Sequence, residues 1–328
     1  MQELRRDPIL RQWVIMASER AADLALRRPE PVDAGGDDDP CPFCPGHESL
    51  NPIEIATVRD GGRWVVRATP DKQPLLRIEG DLERRGAGMF DVMNAIGAHE
   101  VVADTPDHRR QWADFSSAEM ARLLGVYRAR SNDLRRDARF RYVLVVKNHG
   151  AVWSRYPHAH SHVIATPFTP KRVEDELAGA REYFRMRERC VFCDQLSEEL
   201  RFERRVIGRN AAFVSFAPFA AEHPFSVWVS PIQHAADFGT LPDAALPALA
   251  ALLVDALARM RTVLGNPAYS VALHAGPVAG GDQAEIHWHW EIIPHLRREL
   301  GMEWATGIVS NPVPPEEAAA QLRAARAG

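Results

Sequence analysis

The sequence is poor in cysteine, with four in 328 residues. That is too few to staple a chain of this length, which has room for one large or two medium domains with their own cores. A long apolar run is also lacking. No stretch approaches the roughly 18 residues that cross a bilayer, so no membrane span is expected. An excess of basic charge is missing too. Lys and Arg number 40 against 44 Asp and Glu, a net charge of −4 with His neutral, so no global field draws in nucleic acid. Local clusters of Arg and His can still hold a small phosphate-bearing substrate. The opening residues, MQELRRDPIL, carry no apolar core; no signal peptide is expected, and the expected location is cytoplasmic. The remainder, 46% hydrophobic and 26% charged residues, is ordinary for a soluble globular protein.

The four cysteines fall in two pairs, Cys41-Pro42-Phe43-Cys44 and Cys190-Val191-Phe192-Cys193. Two C-x-x-C pairs point to metal or redox chemistry. A thioredoxin-like pair opens a helix after a strand. Cys41 instead follows Gly35-Gly36-Asp37-Asp38-Asp39-Pro40, a loop, so zinc is the expected partner of the first pair. Histidines follow each pair in the same order. The first half has Pro106-Asp107-His108 and then His158-Ala159-His160. The second has Pro231-Ile232-Gln233-His234 and then His287-Trp288-His289. The step between the two histidine groups is nearly equal in both halves. The step before them is longer in the first half, and Leu82-Glu83-Arg84-Arg85-Gly86-Ala87-Gly88 reads as a loop insertion that accounts for it.

The flanking segments repeat as well. Arg141 to Lys147 and Tyr269 to His274 are strands rich in β-branched residues, each placed before an H-x-H. Gly97 to Ala103 and Phe225 to Ser230 lead to His108 and His234, the latter alternating as a half-buried strand does. Helical patterns lie between them. One opens with a serine cap signal at Ser117 and runs to Arg130, another spans Val173 to Arg189, and a long apolar one spans Leu246 to Leu264. The pattern predicts an α+β fold of two fused half-copies, each a mainly antiparallel sheet with helices packed on it. The expected halves are 1–170 and 171–328, joined near the Thr169-Pro170 helix start.

The most informative stretch is His158-Ala159-His160-Ser161-His162-Val163-Ile164-Ala165. On a strand, residues two apart share a face, so three imidazoles project from one side. Buried rings need partners, which makes them poor core material. Three readings stand: exposed strand histidines, a metal comb, or a phosphate-handling nucleophile with supporting imidazoles. The last is chemically apt. A neutral imidazole attacks phosphorus near neutral pH, and the phosphoramidate it forms is labile enough to pass its group on.

Five segments resemble the galactose-1-phosphate uridylyltransferase family of the histidine-triad superfamily. They are Arg5-Arg6-Asp7-Pro8 through Trp13-Val14-Ile15, Cys41-Pro42-Phe43-Cys44, and Gly97-Ala98-His99-Glu100-Val101 through Pro106-Asp107-His108. The others are Lys147-Asn148-His149-Gly150 with the histidine run, and Gly301-Met302-Glu303-Trp304 through Glu316-Glu317-Ala318-Ala319. They cover nearly the whole chain in family order. The resemblance implies two fused histidine-triad-like halves and a first zinc site on Cys41, Cys44, His108 and His158. With the internal repeat and a likeness to the ADP-glucose phosphorylase branch, it implies a second metal site, zinc or iron, on Cys190, Cys193, His234 and His287. It places the nucleophile on His160, moving a UMP-type nucleoside monophosphate between a nucleotide-sugar and a sugar 1-phosphate. It further implies a homodimer with residues of both subunits at each site.

The sequence departs from the family at several places. The uridylyltransferases keep a glutamine two residues after the nucleophile; here His162 stands there, as in hydrolases of the superfamily. The Gly-x-Ser turn ahead of the triad is replaced by Val152 to Pro157, with Ser154 or Arg155 in the phosphate-contacting place. The nucleotide-side pattern reads Asp71-Lys72-Gln73-Pro74, with Asp71 available to a ribose hydroxyl. Asn148, Arg20 and Arg28 are further expected contacts to phosphate, ribose or base, and Glu303 with Asn311 to the hexose. His99 and His149 are expected to be structural. Because Glu291 follows His289, one active triad per chain is expected. Two other functions remain open: a phosphorylase or hydrolase of ADP-sugars or dinucleoside polyphosphates, and a non-catalytic zinc-stabilised nucleotide-binding module.

Overall fold

Alternating β-branched and polar segments fold into strands, and periodic apolar segments into the helices that cover them. The computed structural model describes residues 2–20, 40–150, 153–154, 156–278, 283–297 and 301–325. In the first half the strands are β1 (Glu3–Arg6), β2 (Trp13–Met16), β3 (Ala56–Asp60), β4 (Arg63–Pro70), β5 (Arg85–Ala87), β6 (Phe90–Val92), β7 (Ala98–Ala103), β8 (Tyr142–His149) and β9 (His160–Thr166). In the second they are β10 (Val206–Arg209), β11 (Phe213–Phe216), β12 (Val227–Pro231), β13 (Tyr269–His274), β14 (His289–Pro294) and β15 (Val309–Asn311). The helices are α1 (Ser117–Leu134), α2 (Lys171–Arg187), α3 (Val191–Phe202), α4 (Leu246–Leu264), α5 (Gly301–Thr306) and α6 (Pro315–Ala324).

Ten strands form one sheet in the order β10-β11-β12-β14-β13-β8-β9-β7-β4-β3, every neighbouring pair antiparallel. The middle pair, β8 and β13, joins Lys147 to Val271 and Asn148 to Ser270. Outward from it the two flanks repeat each other, β9-β7-β4-β3 on one side and β14-β12-β11-β10 on the other. Gly150 ends β8 at a φ of 107°, and a Cβ there would meet the Ala268 Cβ at 2.5 Å. Only glycine combines that backbone with so close an approach of the two halves.

The sheet has two covered faces. On one, α1 and α4 bury Trp112, Tyr127, Leu249, Leu253, Trp288 and Trp290 in the main core. A serine caps α1, but one residue before the expected Ser117: Ser116 accepts from the Glu119 N–H, and Glu119 returns the bond. On the other face α2 seats Val173 and Leu177 on Tyr142, and Phe43 and Trp64 pack on Val101 and Ala103. β15 runs parallel to β2 beside β1, tying the C-terminal segment to the N-terminal one.

Most expected elements are present with shifted ends. The helix expected over Val173 to Arg189 is α2, Lys171–Arg187. The strand expected from Phe225 is β12, Val227–Pro231, almost wholly buried rather than half-buried, because β11 and β14 flank it and aromatic rings cover it. The expected loop over 82–88 contains β5, which pairs with β6 in an exposed hairpin. The histidine run does not lie wholly on a strand: β9 begins at His160, and His158 sits in the turn ahead of it. Among the described residues no helix is long and apolar enough to cross a membrane.

Candidate active site and metal centres

Strand register builds the site. β9 faces β7 with His160 opposite Ala103 and His162 opposite Val101, so His99 sits diagonal to His162 on the same face. His160 and His162 line a pocket of about 360 Å³ with Pro42, Phe43, Asn51, Asp71, Lys72, Val101 and Tyr156. That volume falls in the range of small-molecule sites. The His160 ring stacks on Phe43, centroids 5.0 Å apart, with Tyr156 edge-on at 5.8 Å. Its Nδ1–H donates to the His158 carbonyl at 2.8 Å. In a neutral ring the lone pair is then on Nε2. Burial, with the Lys147 ammonium behind it, pushes the His160 pKa down to about 3, so the ring is neutral at ordinary pH.

Behind β9 lies a buried polar network. Lys147 Nζ donates to the His160 carbonyl at 2.9 Å and lies 3.5 Å from the Asp104 carboxylate. Asp104 also accepts from Trp112 Nε1 at 2.8 Å and Ser161 Oγ at 2.6 Å, with the Tyr127 hydroxyl at 3.3 Å. Burial raises Asp104 and lowers Lys147, and each one's charge opposes the other's shift. Sequence reasoning missed both roles. The available signal was a lysine straight after the apolar run Tyr142 to Val146.

His162, expected beside the nucleophile, has a partner that the sequence did not assign to it. Its Nδ1 lies 3.0 Å from His99 Nε2. His99, expected to be structural, is thus at the edge of the site. Its own Nδ1 accepts the Leu75 N–H at 3.1 Å. Asp71 lies 3.6 Å from His99 and 3.9 Å from His162.

Two further clusters match the expected metal sets. Cys41, Cys44, His108 and His158 bring one ligand atom each within 4.8 Å of all the others. Cys44 Sγ lies 3.2 Å from His108 Nδ1 and 3.6 Å from His158 Nδ1. Burial and the neighbouring Cys41 push the Cys44 thiol up to about 11, so Cys44 ionises readily only beside a cation. The His158 Nε2–H donates to the Thr105 carbonyl at 2.7 Å, the outer-shell bond that orients a ligating imidazole. Four soft and borderline donors in this arrangement fit a tetrahedral metal ion. Cys190, Cys193, His234 and His287 form the second cluster, also within 4.8 Å, with Cys193 Sγ at 3.3 and 3.4 Å from the two imidazoles. This C-x-x-C does open a helix: Cys190 is the N-cap residue of α3. His287 Nε2 has no hydrogen-bond partner among the described residues.

Among the described residues, rings fill both sides of His289, which stands at the place equivalent to His160. His289 is sandwiched between Trp228 at 3.9 Å and His274 at 4.7 Å. His274 bonds Glu176 through Nδ1 at 3.0 Å and Glu291 through Nε2 at 3.1 Å. The space left beside this cluster is about 10 Å³.

Other expected contacts lie elsewhere. Glu303 is buried, accepting the Ser310 N–H at 2.8 Å and pairing with Arg297 at 2.5 Å. Asn311 donates to the Ala221 carbonyl and accepts the Val313 N–H. Neither lines the His160 pocket of this chain: Glu303 lies on α5, and Asn311 on β15 of the small sheet. Ser154 donates to the Tyr156 carbonyl, shaping the turn ahead of β9. Asn148 accepts from Ser270 at 2.7 Å across the junction of the halves. Arg20 closes a short turn of helix after β2. Arg28 and Arg155 lie outside the described residues.

A duplicated antiparallel sheet, two thiol–imidazole clusters and a neutral imidazole aimed into a pocket define a group-transfer enzyme. The model of the galactose-1-phosphate uridyl transferase N-terminal domain matches residues 1–170, and the chain belongs to this family of transferases. It is 31% identical to an ADP-glucose phosphorylase of Arabidopsis thaliana over 98% of this chain and 92% of that protein. It is 26% identical to a galactose-1-phosphate uridylyltransferase of Thermotoga maritima over 98% of each. A crystal structure of an ADP-glucose phosphorylase from Arabidopsis thaliana with bound ADP-glucose superposes with a TM-score of 0.84 at 30% identity, covering 98% of both chains.

Proposed function

We propose that the chain moves a nucleoside monophosphate from a nucleotide-sugar to a phosphate-bearing acceptor through a covalent nucleotidyl-His160. The observation carrying this reading is the bond from His160 Nδ1–H to the His158 carbonyl, which leaves the Nε2 lone pair for a substrate in the pocket. Nε2 attacks the α-phosphorus, and the bond to the sugar-phosphate oxygen breaks. The acceptor oxygen then attacks the same phosphorus, and the P–N bond breaks, returning the lone pair to Nε2. The carbonyl steadies the imidazolium character that develops on the ring, and His162 faces the phosphoryl oxygens. Asp71, on the pocket wall, accepts from a ribose hydroxyl. Zinc is the metal proposed for the first cluster, and zinc or iron for the second; Cys41, Cys44, His108 and His158 would hold the first ion, and that ligation would fix the turn ahead of His160. The halves 1–170 and 171–328 are proposed as fused copies, in a cytoplasmic homodimer whose partner subunit brings Glu303 and Asn311 to the hexose.

With UDP-glucose as donor and galactose 1-phosphate as acceptor, the reaction is uridylyl exchange. A second reading, phosphorolysis of an ADP-sugar, is favoured by the 31% identity to the Arabidopsis enzyme and by the complete second cluster. Incubation with each donor and acceptor pair, followed by product chromatography, tests the proposal. Turnover of one pair is expected. Failure of both pairs, and of a dinucleoside polyphosphate panel, would leave the binding module as the better account.

A further inference from the structure

Asp71, His99 and His162 bring three donor atoms within 4.8 Å of one another beside the nucleophile. Two imidazoles and a carboxylate are a familiar cation site. The Leu75 backbone decides against one here. Its N–H donates to His99 Nδ1 at 3.1 Å. A ring nitrogen that accepts an N–H bears no proton, so neutral His99 carries its proton on Nε2. A protonated Nε2 cannot ligate a metal. It lies instead 3.0 Å from His162 Nδ1, which must then be the acceptor. The Asp71 carboxylate, whose Oδ2 lies at 3.6 and 3.9 Å, is too far to compete for that bond.

We infer that His99 is a positioning residue that fixes the tautomer of His162, so that His162 presents Nε2–H to the pocket as an uncharged hydrogen-bond donor for a phosphoryl oxygen. The chain of bonds runs from the Leu75 N–H through His99 to His162, and each ring has one orientation of its proton. His162 lies beside the nucleophile, ring centroids 5.3 Å apart and nearly perpendicular, and both line the same pocket. Burial lowers both His99 and His162, in keeping with two neutral rings. The inference rests on the proposed phosphoryl chemistry for the use of this donor, but the tautomer itself can be read without substrate.

Long-range proton–nitrogen NMR spectra of the metal-loaded enzyme with labelled imidazoles make that reading at pH 7. The wild type is expected to show His162 protonated on Nε2, and His99→Phe a mixture of tautomers. In His99→Gln the amide N–H donates from the place of Nε2, and the wild-type tautomer should return. His162 protonated on Nδ1 in the wild type would overturn the inference, as would a third equivalent of zinc bound by the wild type and lost in His99→Gln. In the half-reaction that labels His160, His99→Phe is expected to lower the rate about 10-fold or more, with little change in donor KM. His99→Gln should restore most of it. In a His162→Gln background, where an amide needs no tautomer lock, His99→Phe should have little further effect. A full further loss there would mark His99 as merely structural. If no variant and no wild type is labelled, the proposed function fails while the tautomer result stands.

Discussion

His160 is held by its own neighbours along the chain. The His158 carbonyl takes its Nδ1–H, and Lys147 grips its backbone carbonyl from the far side of the sheet. The Lys147–Asp104 pair is fully buried, and removing one partner strands the other's charge. Asp104→Ala is expected to destabilise the fold by about 3–5 kcal/mol, measured by urea denaturation. Lys147→Met in the same chain should recover much of that loss while leaving slower labelling of His160, since the grip on its carbonyl is gone. An Asp104→Ala protein as stable as the wild type would show that the pair is not ionised. His160 and His162 were legible in the sequence because their period-two spacing survives on β9, whereas His158 falls in the turn before it. Thr105, Asp104 and Leu75 were not legible as partners. They come from segments distant in sequence, and act through backbone groups or buried charges that carry no pattern.

At the scale of elements, the two Cys/His clusters are alike in donors and unlike in support. His158 is oriented by the Thr105 carbonyl, whereas His287 Nε2 has no partner among the described residues. Outer-shell bonds of this kind change metal affinity by roughly 10–100-fold. Stepwise chelation with metal analysis is therefore expected to release the second metal first, and Thr105 is expected to matter less than its carbonyl, which any residue supplies. Simultaneous release would count against the difference. The C-x-x-C and H-x-H repeat made both clusters legible. It could not reveal that the second half is filled. Glu176 of α2 and Trp228 of β12 close on His289 only because helix and strand pack there. His289→Ala should accordingly lower stability, by removal of a buried ring, and still allow labelling of His160. Loss of labelling in a folded His289→Ala protein would give the second half a part in the chemistry.

Over the whole molecule, buried imidazoles set the response to pH. Burial pushes His149, His162 and His295 from 6.5 down to about 4. The unfolded chain binds protons at these groups below 6.5 and the folded chain resists them, so their contribution is complete above 6.5 and is lost as pH falls toward 4. His274 runs the other way. Burial opposes its charge, but Glu176 and Glu291 outweigh burial and push it up to about 10. Its contribution is complete below 6.5 and is lost as pH rises through 10. Denaturation midpoints are expected to peak close to neutrality and fall more steeply on the acid side. A midpoint unchanged between pH 7 and pH 5 would contradict this. The α+β class and the order of elements were legible from alternation and repeats. The single continuous sheet was not, because the β8–β13 pairing that fuses the halves depends on two strands with no special signal for each other.

Intact-protein mass spectrometry after incubation with UDP-glucose or ADP-glucose, with acceptor withheld, addresses the central claim most directly. The account expects the wild type to gain the mass of one nucleoside monophosphate, lost again on adding acceptor, and His160→Ala to gain none. An unlabelled wild type with a donor that it turns over, or an equal label on His160→Ala, would contradict it.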